Sequence, residues 1–153
     1  MIGLMLILIG MEIALLTLLG ALFYSMFIIF AGLSGGKIND WLAAVMFNGI
    51  GSLVPLAIYL ASSAKGKTTW KGVVYAGIAG VGIMLFSIVL ARIFSRGGNI
   101  SFVAPAIYGT VIMLTSAFGW LVLKEKVTGL QGLGLALILV GVICVIAAKL
   151  RTA

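Results

Sequence analysis

Five long runs of apolar residues, separated by short polar loops, limit the fold of this chain more than any other feature. The runs cover about residues 2–33, 41–61, 72–94, 100–123 and 129–148. A bilayer core about 30 Å thick needs about 20 apolar residues in a helix, and each run reaches that length. The runs are continuous rather than alternating, which argues against a strand barrel. The sequence therefore predicts an all-α integral membrane protein, with five transmembrane helices in a single domain over residues 1–153.

The composition excludes other classes of protein. Hydrophobic residues make up 63% of the chain and charged residues 8%, whereas an average soluble domain is about 25% charged. A small soluble domain cannot bury that much apolar surface. A net charge of +7 would suggest nucleic acid in a soluble protein, but the basic residues lie almost wholly between the runs, as is typical of membrane loops. We expect the lipid bilayer as a partner and no nucleic acid.

Reactive side chains are too few for most enzymatic chemistry. The chain has no histidine, one cysteine and three acidic residues. A His/Cys metal site and a Ser-His or Cys-His pair are therefore impossible. Asp40 and Glu125 stand beside basic residues, and we expect both to be solvated loop anchors. The sequence predicts no catalytic residue, no metal, no cofactor and no enzymatic activity.

Glu12 is the one charged residue of the first run. A carboxylate within the membrane is costly and usually faces the interior of a bundle. Removal from water favours its neutral form, so Glu12 is a candidate for exchanging a proton for a cationic substrate. The alternative places Glu12 at the interface, with residues 1–11 along the membrane surface, because 20 residues counted back from Leu33 end near Ala14. The residues leave both interpretations open.

Among the polar residues inside the apolar runs, an amide and a phenol are the best candidates to line a cavity, and two prolines also lie inside the runs. Asn48 and Tyr108 are candidates to line a cavity, since buried amides and phenols usually need partners. Pro55 and Pro105 each remove a backbone hydrogen bond and are predicted to kink their helices. Breaks of this kind are common in transporters, where the freed carbonyl groups line a cavity.

Small residues recur at helical spacing on two runs. Gly72, Ala76 and Gly80 share one face of the third run, and Gly134 and Gly141 share one face of the fifth. Small residues let helix backbones approach closely in lipid. We predict helix packing at both faces, either inside one subunit or across a dimer.

Three motifs follow one another in the fourth and fifth runs. They are Pro-Ala-Ile-Tyr at 105–108, Gly-Trp-Leu-Val-Leu-Lys-Glu-Lys-Val-Thr at 119–128 and Leu-Gln-Gly-Leu-Gly at 130–134. Their order resembles the end of an EamA-type domain. Residues 134–142 are also similar to the closing helix of small multidrug resistance proteins. Both groups belong to the drug/metabolite transporter superfamily, and the resemblance covers roughly residues 72–148.

The resemblance implies one EamA-type half-transporter bundle but does not supply a substrate. We expect the protein to move small organic solutes or cations. EamA-type transporters usually have ten spans in two halves. The small multidrug resistance pattern has four spans and a membrane Glu followed about eight residues later by Lys, whereas Glu12 has no Lys until Lys37. The closest architecture is the five-span, single-domain branch. Because such transporters commonly bind substrate between two related repeats, we expect a homodimer. A non-transporting accessory subunit of a larger complex is the alternative.

Equal numbers of basic residues fall on the two sides of the membrane. The N-terminal side has Lys65, Lys67, Lys71, Lys124 and Lys126, and the C-terminal side has Lys37, Arg92, Arg96, Lys149 and Arg151. Positive residues normally fix orientation by gathering on the cytoplasmic side. The tie predicts dual topology and an antiparallel homodimer, with a parallel dimer or a heteromer left open. The expected location is the inner membrane of a prokaryotic cell.

Overall fold

The computed structural model describes residues 2–62 and 68–151, and it contains five α-helices. They are α1 (Ile2–Ser34), α2 (Asp40–Ala61), α3 (Trp70–Ser95), α4 (Ile100–Leu121) and α5 (Gly129–Arg151). Within these two ranges there is no β-strand. Each helix contains a segment that is long and apolar enough to cross a membrane. The predicted fold class, an all-α protein with five transmembrane helices, is confirmed.

Several helix ends differ from the apolar runs by one to three residues, and α5 continues to Arg151 rather than ending at 148. Helix α3 begins at Trp70, and the Thr69 hydroxyl caps it by accepting from the Gly72 backbone N–H. Helix α4 ends at Leu121 rather than 123, although Val122 and Leu123 are as apolar as the helix before them. An apolar run indicates which residues can lie in lipid, whereas caps and turns determine the residue at which a helix ends.

The chain divides into two compact units, Met1–Gly97 and Gly98–Ala153. The first holds α1, α2 and α3, and the second holds α4 and α5. Each unit is described by itself below. The single domain over residues 1–153 stays a prediction.

In the first unit, α3 packs against both α1 and α2. Small side chains dominate its buried positions, which are Ile28, Ala31, Ala43, Ala44, Ser87, Leu90, Ala91 and Phe94. They come from the end of α1, the beginning of α2 and the end of α3. Because alanine and serine let backbones approach closely in lipid, the tightest packing lies at this end of the unit.

Gly35 makes the closest approach at this end. A Cβ built on Gly35 would lie 2.6 Å from the backbone oxygen of Phe94 and 2.8 Å from the Phe94 Cβ. Real Cβ atoms essentially never come that close, so the residue after α1 must be glycine for the chain to pass the end of α3.

The start of α2 is fixed by a cap and an ion pair. The Asn39 Oδ1 atom accepts hydrogen bonds from the backbone N–H groups of Trp41 (2.9 Å) and Leu42 (3.4 Å), as an N-cap residue does. The Arg92 Nε atom lies 3.6 Å from the Asp40 Oδ2 atom, and the guanidinium lies 5.8 Å from the Trp41 ring centroid. The expectation of a solvated loop anchor is wrong for Asp40, which is helical and paired.

In the second unit, α4 and α5 pack against each other. Gly109 is buried at this contact, where an added Cβ would overlap the side chain of Val142. Thr128 and Gln131 cap the start of α5, and the backbone N–H of each donates to the side chain of the other. The Gln131 N–H donates to the Thr128 hydroxyl at 3.3 Å, and the Thr128 N–H donates to the Gln131 Oε1 atom at 2.8 Å. This is a capping box.

Candidate functional site

An open groove lies between α4 and α5 in the second unit. Its volume is about 630 Å³, within the range of about 300–1,000 Å³ usual for pockets that hold small molecules. Its lining is mainly apolar, with three residues that offer hydroxyl or indole groups. The lining residues are Met113, Ser116, Ala117, Trp120, Val127, Thr128, Gly129, Gly132, Leu135, Ala136 and Leu139.

A smaller recess of about 310 Å³ adjoins the groove at the loop between the helices. The two share Ser116, Val127 and Leu135, and the recess adds the charged side chains of Glu125 and Lys126. The concave surface of this unit is therefore apolar along the helices and charged at the loop.

The position of Glu125 depends on a glycine and a left-handed residue. Lys124 has φ 55°, which turns the chain back over the end of α4. The Glu125 N–H then donates to the Gly119 carbonyl at 3.1 Å. A Cβ on Gly119 would lie 2.7 Å from the Glu125 Oε2 atom, so the carboxylate rests on the bare glycine backbone.

Glu12 lies in the continuous helix α1 and its side chain is exposed. The 23 residues from Glu12 to Ser34 correspond to about 35 Å of helix, close to the thickness of a bilayer core. Among the residues that the structure describes, no basic side chain forms an ion pair with Glu12. The interior and interfacial interpretations both remain predictions.

Asn48 is half-buried on α2 and forms a bond with its own helix. Its Nδ2 atom donates to the Ala44 carbonyl at 2.7 Å, a local bond of the kind that serine and threonine also make in helices. The preceding residue, Phe47, meets the ring of Phe27 edge to face, with centroids 5.4 Å apart. Asn48 therefore adjoins an aromatic contact between α1 and α2.

Tyr108 is half-buried on α4, and its hydroxyl oxygen is fully buried. It belongs to the second unit, whereas Asn48 belongs to the first. That the two residues line a cavity stays a prediction.

The comparisons with known proteins decide the family. The EamA-like transporter family matches residues 11–147. The chain belongs to the EamA-like transporter family. Comparison with curated proteins and with solved structures found no match. The match begins well before the resemblance at residues 72–148 and includes nearly all of the five candidate spans. At the level of the family, this EamA-like protein is a multi-pass membrane transporter and not an enzyme.

The small-residue faces of the EamA-like chain are open. A Cβ built on Gly80, Gly134 or Gly141 has no heavy atom of the described structure within 4 Å, apart from its own helix surroundings. Gly72 meets only the Thr69 hydroxyl, at 3.2 Å, and Ala76 is exposed. These faces therefore remain candidates for packing against another chain or lipid.

Sequence reasoning missed the glycines that do pack. Gly35, Gly109 and Gly119 each approach a residue more than five positions away in the chain. The role of Gly119 could have been predicted from the sequence, because Gly119 is the first residue of the motif at 119–128 and packs against Glu125 of the same motif. Gly35 and Gly109 belong to no regularly spaced pattern of small residues, because each approaches a single residue of another helix, Phe94 and Val142.

Pro55 and Pro105 both lie inside continuous helices, α2 and α4. Both are exposed. The two kinks stay predictions.

Proposed function

We propose that this EamA-like protein transports small organic solutes or cations, with two copies of the chain forming the transporting unit. The observation that carries the proposal is the family match over residues 11–147. The chain contributes five candidate spans, half the number that the EamA-type resemblance implies. Transporters built from repeats commonly bind substrate at the repeat interface near the midplane, so a second copy supplies the second wall of the site.

The open glycine faces support this assembly. Gly134 and Gly141 present bare backbone on α5, and close backbone approach is what helix association in lipid requires. We propose this face as the dimer contact, with the face formed by Gly72, Ala76 and Gly80 as a second packing surface.

Three polar residues of the spans are proposed to act in transport. Glu12 exchanges a proton for a cationic substrate, because a carboxylate within the membrane usually faces the bundle interior. Asn48 in the first unit and Tyr108 in the second are each proposed to line a cavity. The buried hydroxyl of Tyr108 supports a place inside the protein rather than against lipid.

We further propose that the two copies insert with opposite orientations in the inner membrane of a prokaryotic cell. Support comes from the tie between five basic residues on each side. Of these ten residues, Lys65 and Lys67 lie outside the described residues. The pairing of Arg92 with Asp40 supports grouping the first and third loops on one side, because the two residues adjoin those loops.

Transport by the purified chain in liposomes tests the proposed function. A panel of organic cations and neutral solutes is offered with and without a pH gradient, and protein-free liposomes are the control. We expect at least one solute to enter faster in the proteoliposomes. If nothing moves and the chain is instead recovered from its native membrane with a different protein, it is an accessory subunit.

A further inference from the structure

The groove between α4 and α5 has the length of one membrane leaflet. Its lining on α5 runs from Gly129 to Leu139, a rise of about 15 Å at 1.5 Å per residue. That is half of a bilayer core about 30 Å thick. The groove begins beside the loop that joins the two helices, so in a bilayer it would extend from one surface to about the midplane.

The lining of the groove is apolar at one end and more polar at the other, as a phospholipid has an apolar acyl chain and a polar headgroup. The deep part is lined by Met113, Ala136 and Leu139, which suits an acyl chain. Near the loop stand Trp120, which is 60% exposed, and Thr128. Tryptophan is typical of the headgroup level.

The recess at the mouth supplies charge. Lys126 lines it, Lys124 lies two residues earlier in the same loop, and Glu125 is the one acid between them. Two positive charges against one negative charge leave the loop with a net charge of +1. Basic residues at the membrane surface attract anionic lipids at about 1 kcal/mol each.

We propose that this groove is a binding site for one anionic phospholipid, with an acyl chain between α4 and α5 and the phosphate beside Lys126. The proposal concerns a different ligand from the transported solute and a groove within the second unit, although Gly134 of the proposed dimer face also lines the recess. A transported solute is the other chemical class that would fit an apolar groove, but the loop charge and the one-leaflet length favour the lipid.

Lipid retention by the purified chain tests the proposal without any transport assay. The protein is exposed to equal amounts of phosphatidylglycerol and phosphatidylcholine, and bound lipid is counted by native mass spectrometry. We expect the wild-type chain to retain phosphatidylglycerol in preference. Lys126→Gln should lower that preference about fivefold, and Glu125→Gln should raise it, because the substitution removes repulsion from the phosphate.

Matched variants separate the groove from general lipid adhesion. Ala136→Phe fills the groove and should lower retention of both lipids, whereas Leu137→Phe, at a neighbouring position that is 65% exposed and outside the groove, should not. Lys149→Gln removes one charge at the opposite end of α5 and should leave the lipid preference unchanged. Circular dichroism checks that each variant is folded.

The proposal is overturned if Lys126→Gln and Lys149→Gln have equal effects, or if Ala136→Phe retains as much lipid as Leu137→Phe. Displacement of the wild-type chain's lipid by an organic cation, with no dependence on Lys126, would assign the groove to solute instead.

Discussion

Glu12 links the position of one residue in the membrane to the mechanism. A carboxylate can couple proton movement to transport only if it reaches the cavity that binds the substrate. Carboxylates within membranes usually face the interior of the helix bundle. We predict that Glu12→Gln abolishes transport that depends on a pH gradient, reducing it to the rate in protein-free liposomes. The fold and the dimer should be unaffected, because the amide keeps the size of the side chain.

The matched control is Thr17→Val on the same helix, where the Thr17 hydroxyl only returns a bond to the Ile13 carbonyl at 2.8 Å. Wild-type transport by Glu12→Gln, or by a chain that lacks residues 1–12, removes Glu12 from the mechanism.

At the level of single residues, the sequence identified candidate functional groups, but it did not predict which residues they contact. Glu12 stands out because charge is rare in an apolar run, and no structure is needed to see it. The Arg92–Asp40 pair could not be predicted, because its partners are 52 positions apart and meet only after α2 folds back on α3. The hydrogen bond from Asn48 to the Ala44 carbonyl could not be predicted either, because the sequence does not show which acceptor lies near the amide.

At the scale of elements, Gly35 decides how closely the end of α1 passes α3. We predict that Gly35→Ala lowers the free energy of unfolding by about 1–3 kcal/mol, the usual cost of overpacking. The reason is that the new Cβ would meet the backbone of Phe94, which cannot swing aside as a side chain can. Denaturation followed by circular dichroism in detergent measures the change.

Gly20→Ala is the matched control, because Gly20 lies within α1 and a Cβ there meets nothing within 4 Å. Alanine forms helix more readily than glycine, so this variant should be as stable as the wild type or more so. Equal losses at the two positions would contradict the close approach at Gly35.

The helices themselves were predictable, and some of their ends were not. Lipid demands a minimum length of apolar helix, so five long runs give five spans. The end of α4 was placed two residues late because Val122 and Leu123 are apolar, although the backbone already turns there. Their N–H groups both reach the Phe118 carbonyl, and Lys124 follows in a left-handed conformation. Hydropathy carries no record of backbone dihedral angles.

For the whole molecule, the tie in basic residues predicts that C-terminal tags are labelled from both sides of sealed vesicles. Lys149 and Arg151 lie in the last turn of α5, and they make up two of the five charges on the C-terminal side. Replacing both with Gln leaves three charges against five, which should fix one orientation. Labelling from one side only in the wild-type chain would contradict dual topology while leaving transport by a parallel dimer open.

The number of copies in the assembly tests the central claim most directly. We predict that native mass spectrometry of the wild-type chain in lipid nanodiscs gives twice the mass of one chain. Gly134→Leu and Gly141→Leu should shift the assembly to single, still helical chains, because a leucine on this bare face would hold the partner away. A wild-type chain found only as a monomer, or only with a partner of different sequence, would contradict transport by two copies.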